Sequence, residues 1–101
     1  MKLYIDTSSR SKVIVGIDAK RYVRQVTNVK AQAILQLIED VLEKSKITPK
    51  SLDSIEIFTG PGSFTGLRVG VAVANTMAWV LNIPINGKNP KKMKFVDIKY
   101  S

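Results

Sequence analysis

The segment from residue 60 to residue 70 reads Gly-Pro-Gly-Ser-Phe-Thr-Gly-Leu-Arg-Val-Gly, with four glycines, two hydroxyl side chains and one arginine. An apolar stretch typical of a strand precedes it, and a pattern typical of a long helix follows it. Backbone N–H groups at the start of a helix bind anions, and glycine lets a ligand approach the backbone closely. The segment therefore predicts an anion or nucleotide contact, with these candidate residues: Asp6, Thr7, Gly60, Gly62, Ser63 and Thr65.

Two other interpretations of this segment stay open. Its glycines also suit a tight strand-to-helix turn that binds nothing. A P-loop is excluded, because the spacing differs from G-x-x-x-x-G-K-[ST] and no lysine follows.

In the helix itself, small residues recur at every fourth position, and such a stripe lets a second helix approach closely. The stripe predicts a partner interface that comprises Gly66, Arg68, Gly70, Ala74, Met77 and Ala78 of this helix, with Ile34 and Ile38 of the preceding helix.

The composition excludes several kinds of catalysis. Histidine and cysteine are both absent from the 101 residues, which removes histidine-ligated zinc, a Ser-His-Asp triad, thiolate chemistry and a disulfide framework. A two-metal nuclease needs several converging carboxylates, and the fourth predicted strand ends without an acid. We therefore expect no catalytic or metal-binding residues, and we interpret Asp6 as a turn or cap residue.

The charge favours anionic partners. Sixteen basic residues against eight acidic ones give a net charge of +8, which suits nucleic acid or nucleotide. Residues 88–101 form a lysine-rich tail in which Val96, Ile98 and Tyr100 alternate, so this part is predicted to be a basic tail or an edge strand. The longest apolar stretch, residues 69–81, is interrupted and looks too short for a membrane span. No secretory signal is visible at the N-terminus, so we expect a cytoplasmic protein without membrane contact.

The hydrophobic pattern predicts a single α/β lobe over residues 1–87. Three short strands are expected to form an antiparallel meander, after which helices act as crossovers to strands parallel to the first. The predicted order is β-β-β-α-β-α-β in one mixed sheet. Strands are expected at residues 2–5, 13–17, 21–27, 55–58 and 83–85, and helices at residues 31–44 and about 65–81.

Three parts of the sequence carry a resemblance to a known family. They are I-D-T-S at residues 5–8, the glycine segment at residues 60–70, and V-L-N-I-P-I at residues 80–85. With these motifs in this order, residues 1–87 resemble the N-terminal lobe of the TsaB/YeaZ family. That family belongs to the actin-like ATPase superfamily, so the resemblance implies an RNase H-like, actin-like lobe.

The resemblance also implies a function. TsaB proteins are non-catalytic partners of TsaD in making threonylcarbamoyladenosine at position 37 of tRNA, and TsaE is an ATPase that joins them. This chain is therefore expected to act as a scaffold or activator that pairs through its two helices with a TsaD-like protein. A TsaE-like ATPase would be a further partner, a homodimer would form when the chain is alone, and contact with tRNA would be indirect.

Family members continue into a second lobe, and actin-like nucleotide sites close between two lobes. The resemblance thus implies no cofactor for this chain, and ATP would bind only at an interface with a partner. The residues, considered without the family resemblance, are also consistent with two alternative functions. One is a minimal actin-like nucleotide hydrolase that uses Asp6 and the glycine segment, and the other is a basic tRNA-binding module.

Overall fold

The computed structural model describes residues 1–88, in which one mixed sheet has the strand order β3-β2-β1-β4. The central strand β1 pairs antiparallel with β2 and parallel with β4, as the sequence predicts. Strand β3 pairs antiparallel with β2 and forms the other edge. The strands are β1 (Lys2–Asp6), β2 (Lys12–Ile17), β3 (Lys20–Gln25) and β4 (Ser54–Ile57).

Two helices supply the crossovers, which confirms the predicted α/β lobe. Helix α1 (Ala31–Lys44) lies between β3 and β4, and its buried side chains recur at the spacing of one helix face: Ile34, Leu37, Ile38, Val41 and Leu42. Helix α2 (Phe64–Leu81) follows β4. Ser63 caps its start, and Asn82 ends it in the left-handed conformation that favours asparagine or glycine. A short 3₁₀ turn at Pro49–Ser51 precedes β4.

Both helices pack on the same face of the sheet within residues 1–88. Helix α1 contacts β2, while α2 contacts β1 and β4. Alternate strand side chains point into this single core, because successive residues of a strand face opposite sides: Leu3, Ile5, Val13, Val15, Ile55 and Ile57. We call the opposite side of the sheet the open face, and its side chains include Tyr4, Asp6, Ile14, Val23 and Glu56.

Helix α2 has the length and composition of a membrane span, which corrects the expectation that the apolar stretch is too short. The helix has 18 residues and only one charged side chain, Arg68. Its buried face, which includes Val71, Ala74 and Ala78, packs on the sheet of its own chain. A core helix passes the same test of length and composition, so the test alone does not place α2 in a membrane.

The predicted last strand is reduced to a single bridge that ends in a tight turn. Ile85 pairs in parallel with Ile55, and the chain then reverses through Asn86 and Gly87, whose φ angles are 48° and 78°. The N–H groups of Ile85 and Lys88 each donate to the other residue's carbonyl at 2.9 Å. These features define a type I′ hairpin turn, for which Asn-Gly is the preferred sequence. The predicted basic tail beyond Lys88 lies outside the described residues.

Candidate functional site

The end of β1 and the start of α2 meet at Thr7. This side chain is fully buried, and its Oγ1 donates a hydrogen bond to the carbonyl of Gly66 at 2.8 Å. A Cβ on Gly66 would overlap the Thr7 carbonyl, and a Cβ on Gly70 would overlap Thr7 Oγ1. The two glycines therefore let the helix lie directly against Thr7, the residue that follows β1.

The small-residue stripe faces the chain's own sheet, and this corrects the predicted partner interface. Gly66, Gly70, Ala74 and Ala78 are all buried in the single chain. Ile34 and Ile38 of α1 are buried in the same core. The stripe is small because α2 must approach β1 closely, so it is not a surface on which a second helix lies. Of the predicted interface residues, only Arg68 is exposed and Met77 is partly exposed.

Asp6 closes a turn at the end of β1. Its Oδ1 accepts hydrogen bonds from the Ser8 N–H at 2.9 Å and from the Ser8 hydroxyl at 2.6 Å. Its Oδ2 lies 3.5 Å from the hydroxyl of Tyr4, which donates to it. Burial, followed by the neighbouring Asp6 carboxylate, raises the pKa of Tyr4, and the Arg21 guanidinium partly offsets this effect. The geometry matches the predicted turn role of Asp6.

The start of the glycine segment packs against the same turn. The Ser63 N–H donates to the Ser8 carbonyl at 2.8 Å, and a Cβ on Gly62 would meet Ser8 at 2.5 Å. Gly60 has a φ of 119°, a backbone conformation that residues with a side chain rarely adopt, and the Gly60–Pro61 peptide bond is cis. The Ser63 hydroxyl accepts from the Gly66 N–H at 3.5 Å as a helix cap. These glycines are therefore explained by backbone contacts within the chain.

Ser63 and Thr65 also line a polar groove of about 430 Å³ at the start of α2. The opposite wall is formed by residues 27–29, and Arg10 adds a positive charge. Asp6, Thr7, Gly60 and Gly62 do not line this groove, so the predicted anion-binding residues are divided between two places. No periodic pattern indicates Arg10 as a site residue, because it lies in the loop between β1 and β2.

The outer surface of the helix layer exposes large apolar side chains. Phe64 and Val80 of α2 are 50% and 72% exposed, and Leu35 of α1 is 48% exposed. Trp79 is 41% exposed on α2. Arg68 places its guanidinium 5.5 Å from the centre of the Phe64 ring, so its charge lies within this apolar surface. We call these five residues the outer helix face.

Comparison with known proteins identifies the family. The model of the family "TsaD: tRNA N6-adenosine threonylcarbamoyltransferase" matches residues 24–89, which is more than half of the chain. This chain belongs to that family. Within it, the predicted resemblance to TsaB/YeaZ proteins is confirmed.

The individual relatives carry both names. The chain is 37% identical over 65 residues to the tRNA threonylcarbamoyladenosine biosynthesis protein TsaB of Bacillus subtilis, covering 64% of this chain and 27% of that protein. It is 33% identical over 75 residues to the tRNA N6-adenosine threonylcarbamoyltransferase of Listeria monocytogenes, covering 74% of this chain and 20% of that protein.

Among solved structures, YeaZ from Pseudomonas aeruginosa superimposes with a TM-score of 0.72 at 26% identity. The match covers 83% of this chain and 41% of the YeaZ chain. The chain thus spans between about a fifth and about two fifths of the length of these relatives. The shared fold is the actin-like lobe that the sequence predicts.

Proposed function

We propose that this chain is a non-catalytic partner of a TsaD-like enzyme in the formation of threonylcarbamoyladenosine in tRNA. Relatives named for this biosynthesis, and the match to the TsaD family, support the pathway. The outer helix face is the observation that supports pairing, because it leaves large apolar side chains of both helices exposed, and burying them against a partner would be favourable. In this proposal, the two helices present that face to the partner.

The composition of the outer helix face suits an interface. Phe64 and Val80 lie sixteen positions apart, so at 1.5 Å per residue the face extends along about 24 Å of helix. Between them lie Ala72 and Thr76, both exposed and small enough for close packing. Aromatic residues and arginine are enriched at the centres of interfaces, and both kinds occur here. Arg68 would pair with an acidic side chain of the partner.

Pairing is tested by mixing the chain with a TsaD homologue and measuring the mass by light scattering and the affinity by calorimetry. We expect a complex, and we expect Ala72→Glu to weaken it by at least about tenfold, or about 1.4 kcal/mol, because it places a long charged side chain in the middle of the exposed side of α2. Ala19→Glu is the matched control, since Ala19 is exposed in the turn between β2 and β3.

Two results would contradict this assignment of the interface. One is a mixture that stays as two separate species at high concentration. The other is a complex that tolerates Ala72→Glu as well as Ala19→Glu, which would place the partner elsewhere on the chain. A homodimer of the chain alone would use the same outer helix face, so Ala72→Glu is also expected to yield monomers.

A nucleotide contact is the second candidate function, and Arg10 is the observation that favours it. Arg10 lines the groove at the start of α2 together with Ser63 and Thr65. If the groove takes a phosphate, Arg10→Ala should lower the affinity for ATP by about tenfold, whereas Asp6→Ala should leave it unchanged because Asp6 lies outside the groove. Calorimetric titration checks both, and equal affinities of wild type and Arg10→Ala would dismiss this site.

A further inference from the structure

A second groove, of about 660 Å³, runs along β4 at the edge of the sheet. Glu56 of β4 lines it together with Phe58, which follows the strand, and with Lys2 of the neighbouring strand β1. Asn86 and Gly87 of the hairpin turn form its other side. The groove adjoins the open face, where the apolar side chains of Tyr4 and Ile14 are partly exposed and that of Val23 is 58% exposed.

The hairpin turn reverses the chain next to this groove. Ile85 pairs in parallel with Ile55 of β4, and Lys88 pairs antiparallel with Ile85, so the chain has reversed its direction at Lys88. The next hydrogen-bonded pair across the hairpin would join Ile83 to residue 90, which is a proline. Proline has no N–H to donate, so the sequence does not favour a longer hairpin.

The residues that follow have the composition of a segment that covers such a surface. Val96, Ile98 and Tyr100 alternate with polar residues, which gives an extended segment one apolar side. Residues 91–101 span up to about 36 Å when extended, and the four strands are only about 14 Å across. The segment is thus long enough to cross the whole open face.

The open face offers two carboxylates, Asp6 and Glu56, beside three cations, Lys2, Lys12 and Arg21. Residues 91–101 carry four lysines and one aspartate. On the open face, Glu56 pairs with Lys2 at 3.2 Å, whereas no ion pair to Asp6 occurs within residues 1–88. A lysine of the segment would therefore find an acidic partner at Asp6.

We propose that residues 91–101 of this chain dock on the open face along the β4 groove. Val96, Ile98 and Tyr100 would then cover Tyr4, Ile14 and Phe58, and the lysines would lie near Asp6 and Glu56. This segment would shield the side of the sheet that α1 and α2 leave uncovered. The proposal is independent of the proposed pairing, since it concerns the opposite face of the sheet.

Cysteine labelling tests the proposal, because the chain contains no cysteine of its own. Ser54→Cys places a thiol in the groove, and Ser45→Cys places one at the end of α1 as the matched control. The labelling rate with iodoacetamide is measured in the full chain, with and without the tail substitutions Val96→Asp and Ile98→Asp. We expect the tail substitutions to raise the labelling rate at position 54 by at least about threefold. A docked segment shields the thiol from the reagent, and the substitutions weaken the docking. The rate at position 45 should not change.

Photo-crosslinking identifies the occupant. A benzophenone amino acid replaces Phe58 in a mixture of isotope-labelled and unlabelled full-length chains. Crosslinks to residues 91–101 within one isotopic chain are expected. Crosslinks between labelled and unlabelled chains would assign the groove to a second copy and overturn the proposal. Equal labelling at position 54 in both backgrounds, or no crosslink to residues 91–101, would overturn it as well.

Discussion

Replacing Gly70 with leucine is expected to unfold much of this chain. A Cβ at position 70 overlaps the Oγ1 of Thr7 and lies 3.0 Å from its Cβ and Cγ2. Thr7 is fully buried, so neither it nor the helix can move aside without opening the core. We expect a loss of about 3 kcal/mol or more, a large part of the total stability of a small domain. Urea denaturation followed by circular dichroism measures it.

A double-mutant cycle isolates the contact with Thr7. Gly70→Ala alone should cost about 1–3 kcal/mol, and Thr7→Ala in the same chain should recover part of that, because it removes Oγ1 and Cγ2. Gly66→Ala is the matched control, since its Cβ would overlap the backbone carbonyl of Thr7, which Thr7→Ala does not remove. Additive effects in both pairs would show that the Thr7 side chain does not set the position of α2.

Asn86→Ala is expected to be the second large change. The side-chain oxygen of Asn86 accepts a hydrogen bond from the Ile57 N–H at 2.8 Å, and its nitrogen donates to the Ile57 carbonyl at 3.0 Å. The Asn86 side-chain amide thus takes the place of a neighbouring strand, because it satisfies both backbone groups of Ile57 at the edge of β4. Losing two hydrogen bonds and placing alanine at a φ of 48° should cost about 3 kcal/mol.

Asn82→Ala is the matched control for this change. Asn82 also has a positive φ, of 55°, and it ends α2, but no hydrogen bond joins its side chain to β4. Its replacement should cost only about 1 kcal/mol, from the backbone conformation. Thermal unfolding of both variants compares them directly. Equal losses at the two positions would mean that the Asn86 amide does not stabilise the β4 edge.

Much of the fold was predictable because local patterns were unambiguous. Helix α1 has apolar residues on one side and polar residues on the other, so its buried face followed from spacing alone. The hairpin at Asn86–Gly87 is not among the predicted elements, although Asn-Gly is a strong turn signal, because the lysines after it led to the prediction of a basic tail or an edge strand. The turn role of Asp6 followed from its position between a strand and two hydroxyl residues.

The candidate site was less predictable, and helix α2 shows why. Neither the buried nor the exposed side of α2 follows from its residue pattern, because α2 has apolar or small residues around most of its circumference and only one charged side chain, Arg68.

By itself, the sequence determined the α/β order, the family resemblance, and the presence of a close backbone approach at the glycines. Only the tertiary structure decided that Gly66 and Gly70 approach Thr7 of the same chain, while Ala72 faces outward. Spacing shows which residues share a helix face. Which face is buried depends on the shape of the surface opposite it, and here that surface is the end of β1.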